Sequence, residues 1–325
     1  MRRACPALVG MALLCCGLSS CEDKTVTPNE AVPTAAITWD AGQDVSGQNA
    51  YNHTQAFCDM GPRPSGSAAY ELQIQYLERE LKQHGWTTKR QTLCARGVPM
   101  TNLIAQFGGG DTVRPLLLSC HIDTKIDIHE HFVSANDGAS GAGALIEIAR
   151  VLAQKPELAK QTEIIFLDGE ESFAHRMTEE DGLYGSKFDA AARAKAGSLP
   201  KWQINLDMVG GRGVPIAPPA ADTSDFMYAQ YAKAVRTLGL SPERWTVAPT
   251  SYMDDHVPYL EQGVDSLNLI AHFVGSDWWH TVKDDMSLIC PKALRDSCRM
   301  TIQLIEQLLL FTPNVANKPL RCEAS

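Results

Sequence analysis

The sequence predicts an α/β fold, a three-layer sandwich in which helices flank a central mixed, mostly parallel β-sheet. Three observations carry that prediction. From about residue 115 onward, short apolar runs fit for buried strands alternate with amphipathic helical segments. Each of these runs gives way to acids or histidine at its carboxyl end. Upstream, two strand-like segments in succession add an antiparallel edge to an otherwise parallel sheet.

Taken in order, residues 71–83 carry Leu72, Ile74, Tyr76, Leu77 and Leu81 near the helical period, and Gly85 stops the helix. Strands are expected over 86–93 and 102–107, the second closed by Gly108-Gly109-Gly110. The run 115–120 reads as a buried strand, followed by a helix over 141–153 with Leu145, Ile148, Ala149 and Leu152 on one face. Strand 163–167, helix 184–195, strand 203–206, helix 225–238 and strand 266–270 continue the alternation, and an amphipathic helix over 293–311 closes it.

The chain has 325 residues, 44% hydrophobic and 21% charged, a composition of folded protein rather than of a disordered or collagenous one. Residues 1–20 have a basic start, Arg2-Arg3, and a short apolar run, as an export signal does. Leu18-Ser19-Ser20-Cys21 is similar to a bacterial lipobox, which would make Cys21 the lipid-bearing first residue of an exported protein. A plain secretory signal is the alternative. Residues 21–38, rich in Thr, Pro and Ala, read as a flexible tether, leaving 39–325 as a single catalytic domain. No later run reaches the ~18 apolar residues of a membrane span. Without residues 1–20, 27 basic residues face 38 acidic ones, a net charge of −11 that argues against nucleic-acid binding. Cys58, Cys94, Cys120, Cys290, Cys298 and Cys322 remain, an even number that suits disulfides in an exported chain without selecting a pairing. A CxxC spacing is missing, so a cysteine-type zinc site is not expected.

Open α/β sheets gather their ligand site at the carboxyl ends of the strands. The polar groups that follow the strands here are His121-Ile122-Asp123, Asp168-Gly169-Glu170-Glu171, Asp207 and Trp278-Trp279-His280, and Asp137 precedes a helix. Singly, each carboxylate is read as well as a helix cap or a solvated loop end. Together, acids on one rim repel one another unless a cation sits between them. Carboxylates with an imidazole suit zinc, whereas calcium takes six or more oxygens and no histidine. In Glu170-Glu171, neighbouring carboxylates at a strand end point different ways, one towards metal and one towards substrate.

In order and spacing, His121-Ile122-Asp123, Asn136-Asp137-Gly138-Ala139-Ser140-Gly141, Glu170-Glu171, Asp207 and His280 resemble the zinc aminopeptidase superfamily. Within it, Phe166 to Phe173, Asp181-Gly182-Leu183-Tyr184-Gly185-Ser186, Asp254-Asp255-His256-Val257-Pro258-Tyr259-Leu260 and Trp279-His280-Thr281 with Asp284-Asp285 resemble animal-type glutaminyl-peptide cyclotransferases. The resemblance implies a zinc aminopeptidase-like fold, one zinc ion on Asp137, Glu171 and His280, Glu170 as general acid/base, and Asp254 and Asp207 as its hydrogen-bonded carboxylate partners. It also implies Trp279 as a wall of the substrate pocket and peptide or protein N-termini as substrates, with the enzyme a monomer. A two-zinc aminopeptidase would use the same residues, with His121 and Asp207 holding a second ion and Asp137 bridging. A non-catalytic binding module on the same fold is the third reading, and an intact Glu170 argues against it.

The resemblance departs at three positions. Arg176 follows His175 where the animal enzymes have tryptophan, Ala142 stands where Cys120 would find its disulfide partner, and Asn268 replaces a pocket-lining histidine. These bear on substrate preference more than on the metal site. Arg176 either meets a peptide carboxylate or faces water. For His53, His84, His129 and His131 the surface reading is preferred, Trp278 is expected to brace Trp279, and Asp123 to orient the His121 ring. His256 is left between a structural role and substrate contact.

Overall fold

The computed structural model describes residues 44–110 and 112–310. The expected export segment, the tether, Cys21 and Cys322 lie outside those residues. Ser46 and Ser67 open the first two helices by accepting hydrogen bonds from Asn49 N and Tyr70 N, which satisfies amides the helices leave unpaired. These helices are α1 (Gly47–Asp59) and α2 (Ala68–Gln83). Strands β1 (Trp86–Ala95) and β2 (Val98–Phe107) pair antiparallel as a hairpin turning at Arg96-Gly97, and β2 pairs antiparallel with β4 (Thr162–Leu167). Strands β3 (Leu116–His121), β5 (Trp202–Asp207) and β6 (Asp265–Ile270) complete a six-stranded sheet of order β1-β2-β4-β3-β5-β6. The β4-β3, β3-β5 and β5-β6 pairs are parallel, so the mixed, mostly parallel sheet is the one expected.

All six residues of β3, of β4 and of β5 are buried, because helices cover both faces. On one face, Leu117, Ile165 and Leu167 pack with Ala190 of α5 (Tyr184–Ala196) and Tyr259 of α7 (Val257–Glu261). On the other, Gly141 of α3 (Ser140–Leu152) lies so near the sheet that a Cβ there would sit 2.6 Å from Leu206 O and 2.9 Å from Cys120 Cβ. Helix α8 (Pro291–Leu309) packs with α1 and α3 on this second face, and α6 (Asp225–Thr237) packs against α8. The single turn α4 (Pro156–Ala159) leads into β4. Among the described residues no helix is long and apolar enough to cross a membrane. The five described cysteines are free thiols, with Cys58, Cys120 and Cys298 buried separately in the core, so the disulfides that an even count suggested are not formed among them.

Candidate metal centre

The parallel register brings the carboxyl ends of β3, β4, β5 and β6 level, with His121 beside Leu167 and Asp207 beside Ile270. His121 and Asp207 therefore end their strands at one rim, and Glu170 and Glu171 follow β4 through Gly169 at φ +70°. Asp137 arrives from the other side, in a π-type turn (Ala135–Ala139) just before α3. Gly138 in that turn has φ +91°, and a Cβ there would meet His121 Cε1 at 3.1 Å and Asp123 O at 3.3 Å. Only glycine both accepts this backbone and lets Asp137 approach the imidazole.

His280 has φ +52°, rare for a residue with a side chain, in a loop that turns its ring inward. Its Nε2 lies 3.1 Å from Glu171 Oε1 and 3.4 Å from Asp137 Oδ2. On the opposite side of Asp137, His121 Nε2 lies 3.0 Å from Asp137 Oδ1 and 3.3 Å from Asp207 Oδ1. Asp137 thus offers one oxygen to each of two groups. In each, the three ligand atoms lie within 4.8 Å of one another. Ligands at zinc-bond length on a tetrahedral ion sit ~3.4 Å apart, so these N-to-O spacings, which now join the groups as hydrogen-bonded ion pairs, would also fit around a shared cation. Asp137 Oδ2 is buried and accepts no hydrogen bond, an orphan that a cation would satisfy. The donor set of imidazole and carboxylate fits zinc on both chemistry and size.

Burial raises the Glu170 carboxyl well above the usual range, and the charges of Glu171 and Asp254 add to it. Burial, followed by the charge of Asp254, pushes Asp207 up to about 7. Burial pulls His280 down, but the carboxylates of Asp137 and Glu171 outweigh it and push the ring up to about 10. Asp254 is buried beside them, and its two oxygens are occupied by amides: Asn205 Nδ2 donates to Oδ1 at 3.1 Å and Asn268 Nδ2 to Oδ2 at 2.6 Å. Its carboxylate orientation is fixed by donors rather than by a second acid.

Supporting the ligands, Asp123 accepts the backbone N–H of Glu170 at 3.2 Å and of Glu171 at 3.1 Å, while its Oδ1 lies 3.6 Å from His121 Nδ1. Asp284 accepts from Asn136 N at 2.7 Å and Asp137 N at 3.0 Å, holding the turn that presents Asp137. The Asp284-Asp285 pair was visible as a motif, but the backbone it holds was not. Lys125 is buried, donates to Ser172 Oγ at 2.6 Å and Ala174 O at 2.8 Å, and comes within 3.6 Å of Glu171 Oε2. Nothing in the sequence marked it.

Over this floor opens a cavity of about 570 Å³. Asp137, Glu170, Glu171, Asp207, Asp254 and His280 line its base, and Tyr252, Phe273 and Trp279 form an aromatic wall. Trp279 stacks on His280 with ring centroids 4.1 Å apart and is 38% exposed at the cavity's edge. Of the remaining residues, His129 and His131 are exposed, His53 bonds Tyr76 Oη at 2.6 Å, and Trp278 is buried in an apolar cluster with Met208, Val214, Ile270 and Ala271. His84 caps the end of α2. His256 is buried and meets Asp222 Oδ2 at 3.3 Å.

Fold and floor together define an α/β sandwich of the zinc-exopeptidase type, with a cluster of acids and imidazoles able to hold a cation at the carboxyl edge of its sheet. Residues 102–305 match the model of peptidase family M28, and the chain belongs to that family. Among its relatives is the glutaminyl-peptide cyclotransferase of Bos taurus, 31% identical over a gapped alignment of 208 residues that covers 53% of this chain and 56% of the bovine one. The chain thus spans little more than half of that relative's length. A glutaminyl cyclase of Porphyromonas gingivalis superposes with a TM-score of 0.74 at 27% identity, covering 83% of this chain and all of that one. A Zn-dependent exopeptidase of Parabacteroides distasonis gives a TM-score of 0.71 at 26% identity over 81% and 98% of the two chains.

Proposed function

We propose that the protein cyclises the N-terminal glutamine of peptides and proteins to pyroglutamate with release of ammonia. The observation that carries the reading is Asp254, a buried carboxylate held by two amides on the cavity floor beside Glu170 and Asp207. A water-activating hydrolase has no need of this third acid. The cyclase relatives support the same reading.

Asp137, Glu171 and His280 would hold one zinc ion, whose contribution when bound is to polarise the side-chain amide of the substrate glutamine. Glu170 takes a proton from the α-amine as its nitrogen bonds to the side-chain carbonyl carbon, and returns it to the amide nitrogen that leaves as ammonia. Nucleophile and electrophile belong to one molecule, so holding the glutamine folded on itself supplies much of the acceleration. The charge of Asp254 raises the affinity of Glu170 for the proton in transit, and Asp207, itself pushed up by Asp254, is the other carboxyl beside them. Trp279 walls the substrate in. The catalytic body would be the single domain 39–325, working as a monomer outside the cell and tethered through residues 21–38 to a lipid on Cys21 after removal of 1–20.

A second reading has its own observation. His121 and Asp207 complete a second ligand group around the other oxygen of Asp137. A two-zinc aminopeptidase would use both groups, with Glu170 deprotonating the attacking water.

Glu170→Gln tests the proposal. Zinc content should stay near that of the wild type while ammonia release from a Gln-peptide falls by ~10²–10⁴-fold, the usual worth of a positioned acid/base. Wild-type turnover in this variant would remove Glu170 from the mechanism.

A further inference from the structure

The cavity is electrically lopsided. Five carboxylates line its base, yet only one lining side chain carries a permanent positive charge, Arg176. Arg176 is exposed, so it stands at the solvent end of the cavity. None of the hydrogen bonds or ion pairs among the described residues engages it. An unpaired guanidinium beside a substrate cavity is a planar fork suited to a carboxylate.

The segment that carries Arg176 is pinned at its base. Asp181 accepts Phe173 N at 2.9 Å and Ala174 N at 2.8 Å, and the buried Lys125 ammonium donates to Ala174 O at 2.8 Å. Beyond the tip, Thr178 and Asp181 exchange both backbone hydrogen bonds at 3.1 Å. Only His175, Arg176 and Met177 project between these anchors, and all three line the cavity. Elsewhere the cavity is lined by the apolar and aromatic side chains of Tyr252, Met253, Phe273 and Trp279.

A peptide entering with its N-terminus first sets its α-amine beside Glu170 on the floor, and the next residues leave past the tip. We propose that Arg176 selects peptides bearing a carboxylate next to the N-terminal glutamine, whether a side-chain carboxylate at the second residue or the free C-terminus of a dipeptide. This rests on the cyclase reading of the same site. With a net charge of −9 the protein otherwise repels such substrates, so without Arg176 the preference should vanish or reverse.

The test compares Gln-Glu-Phe-amide with Gln-Ala-Phe-amide, and Gln-Ala free acid with Gln-Ala-amide, on the wild type and on Arg176→Gln. For the wild type, kcat/KM should favour the carboxylate member by about two- to fivefold, the range of a solvent-exposed ion pair. In Arg176→Gln the ratio should fall to one or below, and in Arg176→Lys it should stay above one. A ratio compares two substrates on one protein, so a general loss of activity cancels. The first pair reads the side-chain source of the carboxylate and the second the terminal source. A wild-type ratio of one in both pairs, or a ratio that Arg176→Gln leaves unchanged, would overturn the proposal. The same ratios are read as dissociation constants by calorimetry on Glu170→Gln, which should bind peptide without turning it over. Absence of ammonia release with the binding ratios intact would refute the cyclase reading alone. Ammonia release with unit ratios would refute the carboxylate preference alone.

Discussion

Removing Asp284 should loosen the candidate metal centre from behind, without touching any of the proposed ligands Asp137, Glu171 and His280. Its carboxylate is buried and accepts the backbone N–H groups of Asn136 and Asp137 at 2.7 and 3.0 Å. Asp284→Ala leaves both amides unpaired in a dry site, at about 1–3 kcal/mol each, so a loss of about 2–6 kcal/mol in folding stability is expected. Asp284→Asn keeps one acceptor oxygen and should lose about half of that. The Asp137 turn depends on these bonds, so zinc affinity should fall by about 10- to 100-fold, the usual effect of removing a group that orients a ligand. Urea unfolding followed by tryptophan fluorescence gives the first quantity, and titration against a competing chelator the second. The reasoning is refuted if Asp284→Ala keeps the wild-type urea midpoint and zinc affinity, for then the two amides are satisfied in some other way.

His280→Ala removes one of three ligands to the proposed zinc and should lose both metal and activity, whereas Glu170→Gln loses activity alone; metal analysis beside turnover separates them. Incubation with a strong chelator should abolish turnover, and added zinc should restore it. Away from the site, burial pushes the Glu306 carboxyl of α8 up to about 7 from 4.5. Between those values the folded protein holds a proton that the unfolded chain releases, so this contribution to stability is full below pH 4.5 and is lost as pH rises through 7. Glu306→Gln should flatten the fall in stability between pH 5 and 8, measured as urea midpoints; an unchanged slope would assign it to other groups.

The parts of the fold that were legible in the sequence are those where burial is complete. β3, β4 and β5 are covered on both faces, so each reads as an unbroken apolar run whose end marks the rim. Helix α1 was not legible, because the residues it buries are Gly47, Ala50, Thr54, Phe57 and Cys58, mostly small or polar. It packs by close approach instead: Gly47 lies against Pro291 O, and Gly143 of α3 against Ala50 O. No apolar stripe is needed for that contact. Of the ligand candidates, His121 and Asp207 were legible because they end strands and Glu171 because it closely follows one, whereas Asp137 precedes a helix and His280 lies ten residues beyond β6; the parallel register draws the strand-end members together. What lies behind them was not. Lys125 looks like any loop lysine until the fold wraps Ser172 and Ala174 around it. Asp254 was expected as a hydrogen-bonded partner of Glu170, but its place between Asn205 and Asn268 depends on the pairing of β5 with β6, which no local pattern reveals. The aromatic wall likewise joins Tyr252, from the segment before α7, to Phe273 and Trp279 of the loop after β6.

The most direct measurement is a mass-resolved assay of the purified protein on two peptides, one beginning with glutamine and one with leucine, alongside zinc analysis. The account predicts loss of ammonia from the glutamine peptide, an intact leucine peptide and about one zinc ion per chain. Release of the first residue from the leucine peptide, with no cyclisation of the other and about two zinc ions per chain, would contradict it.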